Sequence, residues 1–353
     1  MSEFHKILSD WYKHNKRDLP WRSNRDPYYV WISEIILQQT RVDQGIEYFV
    51  RFIEQFPNIA SLAGSSENEV LKMWQGLGYY SRARNIYVAA GQIMNHFNGR
   101  FPDSHNDILK LKGVGDYTAA AIASIAFGLP HAAIDGNVYR VLSRIFGIHT
   151  PIDSTQGKRE FLELSTFLIE RDNPGAYNEA LMEFGALQCV PRNPDCTVCP
   201  FQNQCIAFSR SEIAALPVKS IKVKVRHRFF NYLYLKHDKS IILEKREGND
   251  IWQNMYQLPL IESIKAITTE ELLLDEKFKL LFEKDPIVIE SVSSEILHIL
   301  SHQKLHVRFF EISISKNQAG TGWIKIVPEA LSEYPIPKLI DNFLMEKNRN
   351  KMD

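Results

Sequence analysis

Apolar residues recur at helical spacing through the first part of the chain, from residue 2 to about residue 209. The segment SEFHKILSDWYKHNK repeats them with the period of an amphipathic helix, until the prolines of RDLPWRSNRDP end it. A long helical stretch follows at 28–56, with an expected break near 43–45, and 67–97 predicts two helical runs joined at GLG. Strand patterns are scarce over this part of the chain. The periodicity therefore predicts an all-helical first domain.

The pattern changes to β structure after Pro217. The segment FFNYLYLKHDKSIILEKRE predicts two strands around a polar turn, and HVRFFEISIS predicts another strand. Between them, ITTEELLLDEKFKLLFE has helical spacing. We therefore expect a multidomain protein in which an α domain precedes an α+β domain. The predicted bounds are 1–210 for the helical domain, 211–228 for a basic linker, 229–345 for the α+β domain and 346–353 for a mobile tail.

Composition narrows the class of protein without naming its ligand. The 353 residues are enough for two or three domains with separate cores. Lys plus Arg equals Asp plus Glu, 42 each, so the net charge favours no polyanion. No apolar run approaches the roughly 18 residues of a membrane span, and the N-terminus lacks the features of a signal peptide. We expect a cytoplasmic protein without membrane contact. Positive charge is concentrated in the linker, at Lys219, Lys222, Lys224, Arg226 and Arg228.

All four cysteines lie within seventeen residues, with the spacing Cys189-x6-Cys196-x2-Cys199-x5-Cys205. Four soft thiolates in one loop suit either a structural zinc ion or an iron–sulfur cluster. Zinc sites of four cysteines more often use two short Cys-x2-Cys pairs, and this loop has one. The wider, uneven spacing favours a 4Fe-4S cluster, and zinc stays the alternative. Arg192, between the first two cysteines, either reaches a phosphate or faces solvent.

The stretch LKGVGDYTAAAI, residues 111–122, stops one helix and starts another at Gly113 and Gly115. Glycine lets the backbone approach another surface closely and adopt positive φ. Free N–H groups at the start of the second helix would attract a phosphate without any net side-chain charge. A tight turn inside a helical bundle would give the same sequence pattern.

Two carboxylates are candidates for acid–base chemistry. Asp135 precedes the helix in HAAIDGNVYRVLSRIFG, where it either caps the helix or, held ionised by the helix dipole, stabilises positive charge on a sugar during glycosidic cleavage. Glu34 stands in the apolar run VWISEIILQQT. Partial burial would raise its pKa and keep it protonated as a general acid needs, whereas exposure or an ion pair would leave it a structural residue.

Several segments together resemble the helix-hairpin-helix DNA glycosylases, and within them the MutY-type adenine DNA glycosylases. The resemblance covers nearly all of residues 19–205 in the family's order. It implies an all-helical helix-hairpin-helix glycosylase domain with an iron–sulfur loop at 189–205, followed by a Nudix-like α+β domain that reads 8-oxoguanine. The segments that carry it are LPWR, WISEIILQQTRV, GLGYYSRARN, LKGVGDYTAAAI, IDGNVYRVLSR, NPGAYNEALMEFGALQC and the cysteine loop.

The resemblance also implies the activity, which is removal of adenine mispaired with 8-oxoguanine or guanine in duplex DNA during base excision repair. The base would be flipped out of the stack and its N-glycosidic bond hydrolysed. Glu34 would protonate the adenine ring, and Asp135 would stabilise the oxocarbenium-like sugar. Tyr117 and Asn137 would orient these groups. The implied protein is a monomer, bound to the nucleoid if bacterial.

The resemblance further implies the residues that contact DNA. Those placed at the flipped base are Arg22, which would line its pocket, and Glu179, which would contact the adenine or its water. Those placed at the partner guanine, where they would also fill the helix, are Gln39, Leu77 and Tyr79. Those placed at a phosphate are Gly113 and Gly115, and those placed at the lesion are Ser301 and His302. The family often has an aromatic residue before the Ser-His pair, and this chain has Leu300.

Tyr117 separates two kinds of glycosylase. Bifunctional relatives such as endonuclease III have a lysine at this position, whose amine forms a Schiff base and cuts the strand. Tyrosine cannot form that imine, so the resemblance implies base excision without an efficient lyase step. The second domain also lacks the acidic Nudix motif, so nucleotide hydrolysis is not expected. His298, His302 and His306 are spaced as in a helical metal site, but their surroundings look like strand.

Two alternatives stay open at this stage. One is a related glycosylase with another base choice, such as thymine or uracil from mispairs. The other is a non-catalytic DNA-binding or redox-sensing iron–sulfur protein, against which Glu34 and Asp135 argue.

Overall fold

The computed structural model describes residues 3–220, 225–282, 287–314 and 322–349. The chain divides into two units. The first consists of Met1–Ser65 and Asn85–Ile221, and the second of Ser66–Arg84 and Lys222–Asp353. No helix of the described residues combines the length and apolar character that crossing a membrane requires.

Every regular element among the described residues up to 220 is helical, which confirms the predicted α domain. The α-helices are α1 Glu3–Asn15, α2 Pro27–Leu37, α3 Val42–Gln55, α4 Ile59–Ala63, α5 Glu67–Met73, α6 Ser81–His96, α7 His105–Ile108, α8 Asp116–Phe127, α9 Gly136–Phe146, α10 Thr155–Leu168, α11 Pro174–Leu187 and α12 Ile206–Ser209. Short 3-10 turns cover Pro20–Arg22 and Gln202–Gln204.

The alanine-rich α8 lies at the centre of the first unit. Most of its residues from Thr118 to Ser124 are fully buried, and the helix contacts both α2 and α11. Small side chains make this possible, because a Cβ at Gly175 of α11 would lie 2.8 Å from the carbonyl oxygen of Ser124. The packing brings the inner faces of α2, α8 and α11 to one place.

The hairpin before α8 requires a glycine at its first turn. Gly113 has φ of +79°, and a Cβ there would lie 2.5 Å from the Cβ of Asn85. The Lys112 N–H donates to the side chain of Gln92 at 2.7 Å, and α8 then begins at Asp116 without a side-chain cap at Gly115. The sequence therefore forms the predicted helix–turn–helix at this point.

Helix α9 is held against α11 by another close approach. Asp135 caps α9, and Asn173 caps α11 with Pro174 at its first position. A Cβ on Gly185 of α11 would lie 2.6 Å from the Cβ of Asn137. This contact fixes the start of α9 beside the acidic residues of α11.

The second unit contains a mixed eight-stranded sheet, which confirms the predicted α+β class. Its strands are β1 Arg226–His237, β2 Ser240–Lys245, β3 Tyr256–Gln257, β4 Leu260–Ser263, β5 Ile287–Val292, β6 Ile296–Ile299, β7 Gln303–Ile314 and β8 Trp323–Ile326. The order is β3-β2-β1-β7-β5, with β4 on β1, β6 on β7 and β8 on β2. Strands β1 and β7 are parallel from Arg226 opposite Gln303 to Lys236 opposite Ser313, and the other pairs are antiparallel. The remaining elements are α13 Thr269–Leu274, α14 Glu276–Phe282, a 3-10 helix at Pro328–Glu333 and α15 Lys338–Arg349.

The structure differs from the expected boundaries at four points. Helix α3 runs unbroken through 43–45, because Gly45 packs on the Leu37 side chain and the chain breaks before it, near Gln39. Residues 66–84 join the second unit. The end of the predicted linker, 226–228, is strand, because it pairs with β7. Residues 346–349 extend α15 and are not tail, whereas Lys222, Lys224 and 350–353 lie outside the described residues.

Candidate active site

A cavity of about 420 Å³ lies in the first unit where α2, α8, α9, α11 and the first 3-10 turn meet. It brings together most of the residues that the sequence placed at the base and the sugar. Its ionisable and amide-bearing walls are formed by Arg17, Arg22, Glu34, Gln38, Gln39, Tyr117, Asp135, Asn137, Glu179 and Glu183.

Glu34 points into this cavity from the apolar helix α2 and is 8% exposed. The Tyr117 hydroxyl donates a hydrogen bond to Glu34 Oε2 at 2.5 Å. Burial raises the pKa of Glu34 to about 7, with Asp135 and Glu179 adding to the rise and the Tyr117 bond and Arg22 opposing it. A carboxyl group with this pKa can hold or release a proton near neutrality.

Asp135 combines the capping role with a position in the cavity wall. Its Oδ1 accepts from the backbone N–H groups of Asn137 at 2.9 Å and Val138 at 2.8 Å. Its Oδ2 accepts from Asn137 Nδ2 at 2.7 Å. Burial raises the pKa of Asp135, and these three hydrogen bonds and Arg140 oppose the rise. Capping and chemistry are therefore compatible, because the cap orients the carboxylate that lines the cavity.

The side-chain amide of Asn137 is oriented by Arg140, which also lies on α9. Arg140 donates from Nη2 to Asn137 Oδ1 at 2.8 Å and to the Gly185 carbonyl at 2.7 Å. Its Nε donates to the Cys189 carbonyl at 2.7 Å. Because Asn137 accepts from Arg140 through its oxygen, its amide nitrogen faces Asp135. A buried chain of hydrogen bonds thus connects the cysteine loop to Asp135.

Helix α11 supplies two glutamates that are paired with arginines. Glu179 accepts from Arg25 Nη2 at 3.0 Å. Glu183, one turn later and with its side chain 2% exposed, accepts from Arg17 and Arg22. Burial alone would raise the pKa of Glu183, but hydrogen bonds from both arginines lower it to about 2. Glu183 is therefore ionised across the whole working range of pH.

Glu183 and Arg17 were not among the residues expected from the sequence. The only signal was the spacing of Glu179 and Glu183, which places two glutamates on one face of a helix. Arg17 precedes the LPWR segment by two residues. Nothing local in the sequence pairs it with a residue 166 positions away.

Tyr117 is the second residue of α8, and its hydroxyl is directed at Glu34. Its hydroxyl also lies 3.2 Å from Met182 Sδ. Burial raises its pKa well above the usual value, with the charges of Glu34 and Asp135 adding to the rise, so the phenol stays protonated. Gln39, with φ of +58°, lines the cavity from the loop after α2, whereas Gly113 and Gly115 stand on the hairpin outside the lining.

The other expected DNA contacts lie in the second unit. Leu77, Tyr79, Ser301 and His302 line one cavity of about 490 Å³, together with Leu300 and residues 249–252. The Tyr79 hydroxyl and the Ser301 hydroxyl are hydrogen-bonded to each other. Tyr79 adopts φ of +48° and is 45% exposed, while Leu77 is 8% exposed. The structure therefore brings these four sequence-predicted residues together.

The three histidines at four-residue spacing do not form a helical site. His298 lies on β6 with its ring 6.0 Å from that of Trp252. His306 lies on β7, where it is bonded to Glu295 and stacked on Phe229. In the described ranges, no three His, Cys, Asp or Glu side chains are placed to hold a metal ion.

The four cysteines of the loop nevertheless share one cavity. Cys189, Cys196, Cys199 and Cys205 line a single small cavity of about 20 Å³. Its apolar walls include Ile145, Phe184 and Phe201. Burial raises the pKa of the Cys199 thiol to about 11 and also raises that of Cys196 and Cys205. Arg144 Nη1 lies 3.4 Å from Cys189 Sγ. Four soft donors around one apolar cavity fit a thiophilic metal centre by the chemistry of the donor set.

Comparison with known proteins gives matches to both units. The family model described as HhH-GPD superfamily base excision DNA repair protein matches residues 32–166, and the NUDIX domain model matches residues 231–346. The solved structure of a thermostable thymine-DNA glycosylase is 30% identical with a TM-score of 0.55, and the likeness covers 59% of this chain and 95% of that one.

Relatives that match most of this chain carry the assignment further. The adenine DNA glycosylase of Arabidopsis thaliana is 34% identical over an alignment of 363 residues, gaps included, and the alignment covers 89% of this chain and 57% of that protein. The adenine DNA glycosylase of Buchnera aphidicola subsp. Acyrthosiphon pisum (strain APS) is 36% identical over 351 residues, which cover 96% of this chain and 97% of that protein. A likeness that extends over nearly the whole of both chains, and therefore through both units, makes this chain a member of the adenine DNA glycosylase family.

Proposed function

We propose that the protein removes adenine from DNA by hydrolysing the N-glycosidic bond, and that its substrate is adenine opposite 8-oxoguanine or guanine. One observation carries the proposal: a buried carboxyl group that titrates near neutrality, Glu34, shares a cavity with a helix-capping carboxylate, Asp135. Two carboxyl groups with different surroundings are what glycosidic cleavage needs, one as acid and one as stabilising anion. The cavity volume of about 420 Å³ is also adequate for a flipped nucleobase.

In the proposed reaction, protonated Glu34 gives its proton to a ring nitrogen of adenine. The N-glycosidic bond then breaks, and the electron pair of that bond leaves with the base. Asp135 stabilises the positive charge on the sugar, and water adds at the sugar carbon and loses a proton. The products are free adenine and an abasic site, with one water consumed. Tyr117 holds Glu34, and Asn137 holds Asp135.

The wall formed by α11 and the first 3-10 turn is proposed to read the base. Arg22 can only donate hydrogen bonds, whereas the carboxylate of Glu179, paired with Arg25, accepts them. Adenine presents an acceptor, N7, beside a donor, the N6 amino group. An arginine and a carboxylate on one wall complement that edge, whereas the N7 and O6 acceptors of guanine would face an unfavourable carboxylate.

The strand is proposed to stay intact after excision. A lyase step needs an amine that forms an imine with the sugar, and the hydroxyl at Tyr117 cannot supply one. The nearest lysines in sequence, Lys110 and Lys112, stand on the other arm of the hairpin, where Lys110 is paired with Asp107.

The second cavity is proposed to read the base opposite the adenine. Leu77 and Tyr79 would fill the space left in the helix, while Ser301 and His302 would contact 8-oxoguanine. The Tyr79 to Ser301 hydrogen bond and the shared cavity support placing these groups at one lesion site. The Gly113 and Gly115 hairpin would bind a backbone phosphate through its N–H groups.

Cys189, Cys196, Cys199 and Cys205 are proposed to hold a 4Fe-4S cluster. Their common cavity and uniform soft donors support it. When bound, the cluster would cross-link the loop that follows α11. We also propose that the protein acts as a monomer in the cytoplasm, on the nucleoid if the source is bacterial.

Single-turnover excision tests the proposed function. Duplexes would carry adenine opposite 8-oxoguanine, adenine opposite guanine, and thymine or uracil opposite guanine, with release of free base measured by chromatography. We expect adenine release, fastest opposite 8-oxoguanine. Thymine removal is the second candidate, favoured by the likeness to thymine-DNA glycosylase. Release of thymine without adenine would replace the proposal by that candidate.

A further inference from the structure

Glu183 lines the cavity proposed to hold the base, but it is neither the proposed acid, Glu34, nor the proposed stabilising carboxylate, Asp135. Its carboxylate accepts hydrogen bonds from the backbone N–H of Arg17 at 2.9 Å, from Arg17 Nε at 2.9 Å and from Arg17 Nη2 at 2.7 Å. It also accepts from Arg22 Nη1 at 3.1 Å and from Arg22 Nη2 at 2.9 Å. Both of its oxygens are thus committed to two guanidinium groups.

We propose that Glu183 is a positioning residue: it holds the Arg22 guanidinium at the cavity wall in the orientation in which Arg22 contacts the flipped base. This inference rests on the proposed function and adds to it a residue that no sequence motif assigned. Glu183 itself is too fully occupied by arginines to accept a hydrogen bond from the base with good geometry.

The geometry of Arg22 supports this role. Its Nη1 donates to Glu183 at 3.1 Å and to the Arg17 carbonyl at 3.0 Å, so two separate acceptors hold this nitrogen of the guanidinium. The Arg22 side chain is 16% exposed and stacks over the Tyr12 ring at 5.7 Å. These contacts use three hydrogen bonds, while a guanidinium carries five N–H groups. Donors remain for a base acceptor.

The charge balance gives Glu183 a second effect on the site. Arg17, Arg22 and Glu183 together carry one net positive charge beside the cavity, and removing the carboxylate would leave two. The charged and titratable groups that face Glu34 are Tyr117, Asp135, Glu179 and Arg22. A change in the charge around Arg22 would therefore reach the proton donor, which a residue with only a structural role would not do.

Three variants separate charge from geometry. Glu183→Gln keeps the size and removes the charge, Glu183→Asp keeps the charge and shortens the reach, and Arg22→Gln removes the positive partner. The matched control is Glu311→Gln in the second unit. Glu311 also forms ion pairs with two cations, Lys236 and Lys347. Its pKa is likewise lowered to about 2, although its burial opposes that shift.

Single-turnover excision with enzyme in excess gives the half-saturating enzyme concentration and the maximal rate at pH values from about 5 to 9. For Glu183→Gln we expect a roughly ten- to hundredfold loss in the ratio of maximal rate to half-saturating concentration. We also expect its rate to fall at lower pH than the wild type, because more positive charge faces Glu34. Arg22→Gln should shift that midpoint to higher pH.

Glu183→Asp should keep the wild-type pH midpoint of the rate but bind more weakly, with a higher half-saturating enzyme concentration. Glu311→Gln should keep the wild-type values of both quantities. The inference fails if Glu183→Gln matches the wild type in midpoint and half-saturation. It also fails if Glu311→Gln changes them equally. The pH dependence of unfolding monitors Glu34 without substrate and should shift in the same direction in Glu183→Gln. Absence of adenine release by the wild type would refute the proposed function, whereas a normal wild type with an unshifted Glu183→Gln would refute only the positioning role.

Discussion

The two walls of the base cavity treat their carboxyl groups in opposite ways. On the wall of α2 and α9, Glu34 is buried and Asp135 is half-buried, no arginine among the described residues is bonded to either carboxyl group, and burial raises both pKa values. On the wall of α11, Glu183 is also buried but is bonded to two arginines, which lower its pKa to about 2. A glutamate thus has a raised pKa on one wall and a lowered pKa on the other.

The difference teaches that burial alone does not define a catalytic carboxyl group. What separates the walls is the kind of donor at each carboxyl. Tyr117 donates to Glu34 through a neutral hydroxyl, and α9 donates to Asp135 through neutral N–H groups. Among the described residues that line the cavity, guanidinium groups form ion pairs only with the glutamates of α11. Neutral donors leave a carboxyl group able to change its protonation or its interaction energy during a reaction, whereas cations fix it.

The largest effect is expected at Asp135. Asp135→Asn removes the negative charge that would stabilise the oxocarbenium-like sugar, and we expect excision to slow by about a thousandfold or more. Asparagine is as good an N-cap as aspartate, so α9 should begin at the same residue. Single-turnover rates measure the first effect, and thermal melting and mispair binding should stay near wild type. A variant that excises adenine at the normal rate would show that Asp135 is only a cap.

The next effect is expected at Glu34. Glu34→Gln removes the proton donor, and a loss of about 10²- to 10⁴-fold in the excision rate should follow. The wild-type rate should fall as pH rises through about 7, where Glu34 loses its proton. The variant should lose this limb of the pH profile. A pH profile with the same midpoint in Glu34→Gln would assign the titration to another group.

The same substitution has a consequence for stability. Because the folded pKa of Glu34 is raised from 4.5 to about 7, its favourable contribution is complete below the unfolded value and is lost as pH rises through about 7. The shift corresponds to about 3 kcal/mol. Glu34→Gln should therefore unfold with a higher free energy than the wild type at pH 8 and a similar one at pH 4.5. Denaturant titrations measure this. If Glu34 did not titrate in this range, the difference in free energy of unfolding between the variant and the wild type would be the same at both pH values.

These carboxyl groups show how far the sequence alone could go. Glu34 and Asp135 could be singled out because each contradicts its surroundings, one as an acid in an apolar run and the other as a cap behind a glycine hairpin. The helical first domain and the cysteine loop could be predicted because period and spacing are local properties. Each of these signals is carried by a short, continuous stretch of the sequence.

The parts that could not be predicted depend on distant contacts. Glu183 meets Arg17 and Arg22 across 166 and 161 positions, which no local pattern encodes. Gly45 suggested a helix break because glycine disfavours helices, but its missing side chain instead makes room for Leu37. The grouping of residues 66–84 with the second unit likewise depends on contacts such as Tyr79 with Ser301.

An intermediate effect is expected at Tyr117. Tyr117→Phe removes the hydrogen bond that lowers the pKa of Glu34, so that pKa should rise by about one unit. The excision rate should then persist to higher pH, with a modest loss at pH 6. Borohydride should trap no covalent DNA adduct with the wild type, because no lysine lines the cavity in the part of the chain that the structure describes. An efficient adduct would contradict the assignment as a glycosylase without lyase activity.

The smallest effect is expected at Arg25, which tests whether all arginines of the α11 wall act alike. Arg25 is 49% exposed and makes one bond to Glu179, at 3.0 Å, whereas Arg17 and Arg22 each approach Glu183 with two guanidinium nitrogens. An exposed single pair contributes about 0–1 kcal/mol. Arg25→Gln should therefore change the free energy of unfolding by less than about 1 kcal/mol, and it should slow excision only a few-fold. A loss of excision rate as large as that of Glu183→Gln would mean that Glu179 depends on Arg25 as Arg22 depends on Glu183. The ion pairs of the α11 wall would then act as one charge network.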